Sequence, residues 1–220
     1  MKRTLALLAL GLAGAGYARF GRPRVLNWGA TPEEVSSPMP GDDIVPDAWL
    51  QTTRAITIEA PPSAIWPWLV QMGPRPRAGA YTYDWIERLL GIDIENSDVI
   101  LPEFQRLEAG EWLGLNEKGQ GLRVVALEAE KYLLVQWEPQ KSTWLFALYP
   151  QPGGVTRLVS RNRLAPAGLL SRLFTVVFME AGSLVMERKM LLGVKERAER
   201  LWREQQGQAG REAPAAAAEA

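Results

Sequence analysis

The sequence predicts an α+β fold in which an antiparallel sheet packs against a long C-terminal helix. Three observations predict it. A segment of period two, Thr53 to Glu59, runs through a double proline into a segment of helical period. Alternating segments separated by turn signals then follow from about Gly110 to Leu164. Finally, Ala167 to Gln205 carries an apolar stripe at helical spacing.

The chain begins with a distinct segment, residues 1–20. Lys2 and Arg3 precede an apolar run from Leu5 to Tyr17, shorter than the ~20 residues that span a bilayer comfortably. Its length suits a signal peptide, with Gly16-Tyr17-Ala18 as a small-residue cleavage site. Arg19, Arg22 and Arg24 follow at once, and positive charge there favours a retained anchor. A helix docked on the protein is the other reading. The segment is therefore expected to hold the protein at a membrane, or to export it if cleaved.

Residues 21–51 read as an irregular arm. Thr31-Pro32-Glu33-Glu34 has the form of a capped helix start. Pro38, Pro40 and Pro46 then prevent long regular structure. Asp42, Asp43 and Asp47 match no calcium-loop spacing, and no metal site is expected. Trp28 and Trp49 are expected to pin the arm to the domain.

The domain itself is expected over 52–206. Ile56 and Ile58 point one way from the first strand, Thr57 and Glu59 the other. Pro61 and Pro62 stop the strand and suit a helix start. Ile65, Trp68, Leu69 and Met72 then form one apolar face, with Pro67 loosening the first turn. A Pro-Gly loop with Arg75 and Arg77 lacks the pattern of a phosphate loop and reads as a solvated rim loop. A short helix is expected over Tyr81–Leu90, with Asp84 and Arg88 paired at i and i+4.

The strands are expected at Glu111–Leu115, Leu122–Leu127, Tyr132–Trp137, Thr143–Tyr149 and Val155–Leu164. Trp144, Phe146 and Leu148 share a face. Arg157 and Arg161 are assigned to a solvated outer face. In the last helix, Leu173 to Val185 holds one charge, Glu180, and reads as a helix buried against the sheet. The tail, 207–220, has no pattern and is expected to be disordered.

Composition narrows the chemistry. The chain has 220 residues, 25 basic and 25 acidic, so no strong field draws nucleic acid. It has no cysteine and no histidine, which removes thiolate, imidazole and triad catalysis. Nine tryptophans suit a wide apolar interior or a ring-lined cavity.

The stretch TRAITIEAPPSAIWPWLVQMG (Thr53 to Gly73) resembles the opening of the START-like, or SRPBCC, superfamily, which includes polyketide cyclases and lipid-transfer domains. Four further runs agree: NWGATPEEV, PGDDIVPDA, YTYDWIERLLGIDI and MERKMLLGVKERAE. The resemblance implies a helix-grip fold, a curved antiparallel sheet wrapped around the long C-terminal helix, with an apolar ligand held between them. One fold hosts many functions.

Three functions are compatible with these residues. The first is binding of a hydrophobic small molecule or lipid between sheet and helix, with no cofactor. The second is a cyclase- or hydrolase-like enzyme using a cavity carboxylate or tyrosine. The third is a non-catalytic interaction protein with a packed core. Glu180 is the carboxylate in the most apolar surroundings, but a helix residue turned to solvent or an arginine explains it better. No catalytic residue is assigned. The expected ligand-binding residues are Trp144 and Phe146 from the strand alternation, Met179 and Leu184 from the helix stripe, and Tyr81 and Trp85, which the resemblance places over the pocket mouth.

Overall fold

The structure is a computed structural model that describes residues 14–89, 91–115, 121–138 and 140–218. The run Leu5–Tyr17 lies mostly outside the described residues. Six strands form one antiparallel sheet in the order β1-β6-β5-β4-β3-β2. They are β1 (Leu50–Ile58), β2 (Trp112–Leu115), β3 (Gly121–Glu128), β4 (Tyr132–Glu138), β5 (Ser142–Gln151) and β6 (Val155–Leu164). A bulge between Val124 and Ala126 shifts the register of β3 on β4.

Among the described residues six α-helices accompany the sheet: α1 (Arg22–Leu26), α2 (Pro32–Ser36), α3 (Pro62–Val70), α4 (Asp84–Leu89), α5 (Leu169–Phe174) and α6 (Glu180–Ala218). A π-helical turn, Thr175–Met179, joins α5 to α6. This is the helix-grip arrangement: an antiparallel sheet with one face packed on the C-terminal helix.

Residues of even number on β1, β5 and β6 share the inner face, because Arg54 pairs with Ser160 and Phe146 with Ser160. That face holds the main core: Ile58, Leu133, Phe146, Leu148 and Leu158 meet Ile65 and Leu69 of α3 and Met190, Leu191 and Val194 of α6.

The outer face is sealed by the N-terminal arm rather than by water, which corrects the solvated-surface expectation. Arg161 is buried, and its guanidinium donates to the carbonyls of Glu34, Val35 and Ser37 and to Asp42. Arg157 binds Glu34, and Arg163 binds the carbonyls of Val45 and Pro46. An arginine fork satisfies several backbone acceptors at once, so this row clamps an irregular segment that has no ladder of its own. The capping box at Thr31 and Glu34 is formed as expected. The arm lies close: a Cβ on Gly29 would sit 2.1 Å from the carbonyl oxygen of Ala55.

Four local expectations change. The short helix begins at Asp84, because Tyr81 adopts a left-handed φ of 58° and its N–H is taken by Asn96. Asp84 accepts from Asn96 instead of pairing with Arg88. The loop at Gly73–Gly79 is closed by a backbone pair, and Arg77 donates to the carbonyls of Val70 and Met72, capping the end of α3. The helix runs on through Ala218 rather than ending in a patternless tail, consistent with the helix propensity of its alanine run.

The largest change concerns the C-terminal rod. Its buried part is Glu187 to Ala198, not Leu173 to Val185. Between Leu169 and Met186 only Glu180 is buried; most of the apolar side chains are exposed, and Val176, Leu184 and Met186 are half-buried.

Candidate functional site

The inner face of the sheet is organised in cross-strand rows. One row reads Arg54, Ser160, Phe146, Leu133; the next reads Thr52, Asn162, Trp144, Val135, Val124. Beyond it, Leu122 pairs with Trp137 and Trp137 with Ser142. The polar members cluster on β1 and β6, and the apolar ones on β3, β4 and β5.

Glu187 of α6 meets the polar cluster. One carboxylate oxygen accepts from the Arg54 guanidinium, and the other accepts from the Ser160 hydroxyl at 2.7 Å. Asn162 donates to the same carboxylate at 3.3 Å. Arg54 also donates to the Val25 carbonyl of α1 and to Ser183 of α6. The indole N–H of Trp144 donates to Ser160 at 2.8 Å. Burial pushes the Glu187 carboxyl above its ordinary range, against the opposing pull of Arg54 and of the Ser160 hydroxyl.

The six residues expected to line a pocket do not all meet. Phe146 is fully packed in the core, and Trp144 lies beside it with ring centroids 4.8 Å apart. Trp144 is only half-buried. Tyr81 is buried: its hydroxyl donates to the Trp68 carbonyl, Gln71 donates to it, and Arg197 stacks 4.6 Å from its ring centre. Burial raises its pKa far above the ordinary tyrosine value, so the proton stays on oxygen. Trp85 is exposed on α4, Met179 is exposed on the rod, and Leu184 is half-buried there.

Two neighbours of Trp144 on the inner face were not anticipated. Trp137 is 41 % exposed and Leu122 is half-buried, so with Trp144 they leave an apolar floor partly open at the end of the sheet. Leu122 opens one expected strand and Trp137 closes the next, but the bounds of a strand do not say how much of its end is covered. A separate open depression of about 440 Å³ lies at the rim among Arg75, Arg77, Glu95, Asn96 and Leu101. Arg75 there is paired with Glu95.

Among the described residues, two of the three buried carboxylates are ion-paired. Glu180 receives a forked bond from Arg22 at 2.7 and 2.9 Å, which fits the arginine explanation of its position. Glu187 is held by Arg54. Glu87 of α4 is buried, with one oxygen lacking a partner among the described residues. Burial, then the nearby Asp84 charge, pushes its carboxyl up. Among the described residues no group of three acidic side chains is placed to hold a metal ion.

No family model matches the chain, and no curated protein matches it. The chain is similar to several solved structures at low identity. A protein from Mesorhizobium loti is 19% identical over 69% of this chain and 96% of its own, with a TM-score of 0.38. The Aha1 dimer from Colwellia psychrerythraea is 15% identical over 68% of this chain and 96% of its own, with a TM-score of 0.43. A polyketide cyclase-like protein from Corynebacterium glutamicum is 15% identical over 75% of this chain and 96% of its own, with a TM-score of 0.33.

Proposed function

We propose that the protein is a non-catalytic binding domain for a hydrophobic small molecule or lipid, received at the open end of the inner face. The observation that carries this reading is the half-exposed apolar floor of Leu122, Trp137 and Trp144 on the inner face. Two indole rings offer large, stiff apolar area for a ligand, and the Trp144 N–H is already satisfied by Ser160, so the ring presents only its apolar body. The ion-paired state of Glu180 and Glu187 favours binding over the enzyme alternative. On the same reading, residues 1–20 keep the protein at a membrane as an anchor, or export it if cleaved.

The test is a titration of the full chain with a fluorescent fatty acid. Saturable binding, weakened about tenfold or more by Trp144→Ala or Trp137→Ser (roughly 1.4 kcal/mol), supports the proposal. Absence of binding by the wild type leaves the interaction protein with a packed core as the function.

A further inference from the structure

The rod from Leu169 to Met186 is built inside out. Leu169, Leu170, Leu173, Phe174, Val177 and Phe178 are all exposed, and the one buried residue is the carboxylate Glu180. A helix that faces water does the opposite, turning its charge outward and its apolar stripe inward. A helix that faces lipid turns its ionisable group toward protein and neutralises it there. Glu180 does this, closing on Arg22 of α1 at 2.7 Å.

The distribution of the apolar residues selects the partner. Val177, Phe178 and Met179 are consecutive and all exposed within the π-helical turn, so the apolar surface is wider than a single helical stripe. A second copy of the chain, or another protein helix, covers one stripe; the headgroup and acyl boundary of a bilayer takes a wider apolar face. Charge agrees. The whole chain is neutral, yet the charges around this surface are Arg19, Arg24 and Arg172, none with an acidic partner among the described residues. Tyr17 and Phe20 are also exposed, and α1 runs alongside the rod: Arg22 meets Glu180, and Arg188 lies over Trp28.

The helix that contains the rod, Leu169–Gln208, is long and apolar enough to cross a membrane by length and composition. Its tethers prevent that. Leu164 ends β6, and Leu169 follows after only Ala165–Gly168. Five extended steps reach about 17 Å, whereas Leu169–Met186 is about 27 Å long and the hydrocarbon core is about 30 Å thick. Arg172 also stacks on Trp49, 5.4 Å from its ring centre, and Trp49 bonds to the end of β6. Both ends of the rod are therefore held on the same side, by the domain.

We infer that Leu169–Val185, with Tyr17 and Phe20, is a docking surface for an anionic lipid bilayer, and that it lies in the interface without crossing. This surface is argued from residues other than Leu122, Trp137 and Trp144, and its test does not use them.

The chain has no cysteine, so a single label reports the surface. Full-length Phe178→Cys and, as a control on the packed half of the rod, Glu196→Cys are labelled with an environment-sensitive dye. Both are mixed with vesicles of phosphatidylglycerol and phosphatidylcholine, or of phosphatidylcholine alone. The expected result is a blue shift at position 178 only, stronger quenching by lipids brominated near the headgroup than by those brominated at the chain ends, and weaker binding to the neutral vesicles. Leu170→Ser/Phe174→Ser/Phe178→Ser should lower vesicle binding about tenfold with an unchanged Tm. A label at 178 that stays aqueous on floated protein overturns the inference, because the N-terminal run then carries the binding alone. Quenching deepest at the bilayer centre overturns the interfacial placement. A blue shift that appears without vesicles and grows with protein concentration gives the surface to a second copy instead.

Discussion

The guanidinium of Arg54 on edge strand β1 closes on the carboxylate of Glu187 on α6, with neither side chain reaching solvent to any extent. This contact is the joint of the molecule. Below it, Met190, Leu191, Val194 and Ala198 are buried against the sheet and α3; above it, the rod is exposed. Arg54 further ties α1 to the same point through the Val25 carbonyl. Removing one partner leaves a buried charge alone, which costs about 3–5 kcal/mol. Arg54→Met and Glu187→Leu should each show that loss in urea unfolding. The double substitution should recover most of it, since two apolar chains need no partner.

Burial raises the carboxyl of Glu87, so its folded pKa stands above the unfolded value of about 4.3. The protonated form is favoured by folding. Its contribution to stability is complete below the unfolded pKa and is lost as pH rises through the folded one. Glu87→Gln removes that loss. The Tm of the variant relative to wild type should therefore climb between pH 4 and 8. Glu34 runs the other way: burial pushes its carboxyl up, but hydrogen bonds from Arg157 and from the Thr31 N–H outweigh this and lower it. Comparing Glu87→Gln with wild type at each pH cancels that opposing trend.

Arg161 holds the arm through three carbonyls and Asp42. Arg161→Ala strands those acceptors above an apolar layer that includes Met39 and Leu134. Stability should fall by about 2–3 kcal/mol, and limited proteolysis should cut first between Pro38 and Asp47.

Two glycines of α6 should respond with opposite sign. A Cβ on Gly193 would sit 2.7 Å from both the Cβ and the carbonyl oxygen of Tyr81, and backbone there cannot swing away. Gly193→Ala should cost about 1–3 kcal/mol. Gly182 has nothing within 4 Å, so Gly182→Ala should gain about 0.5–1 kcal/mol through helix propensity alone. Calorimetry of the two variants checks the packing of Tyr81 on the helix.

The strands were legible because a half-buried strand writes its burial into alternate residues. Val155–Leu164 was read with its observed bounds, and β5 differs only by lengthening at its ends. Even the inner position of Arg54 was legible from its parity with Ile56 and Ile58. Its partner was not, because Glu187 lies 133 residues away and no local pattern links them. The arginine row was placed on the correct face, but its cover is an arm whose prolines erase periodicity. The rod shows the deeper limit. Apolar residues at Leu173 to Val185 serve equally in a core helix and in one that faces outward, and only the position of the Arg54–Glu187 joint separates the two.

Binding of an apolar ligand at the open floor, beside a solid core, is tested most directly by one titration. Fluorescent fatty acid is added to full-length wild type, Trp144→Ala and Phe146→Ala, with the stability of each measured in parallel. Phe146 is 2 % exposed, so its truncation should cost the full ~3–5 kcal/mol of a packed core phenylalanine. Trp144→Ala should cost less stability yet weaken the probe about tenfold or more, roughly 1.4 kcal/mol. A wild type that binds no probe, or a Trp144→Ala variant that binds it unchanged, contradicts the account.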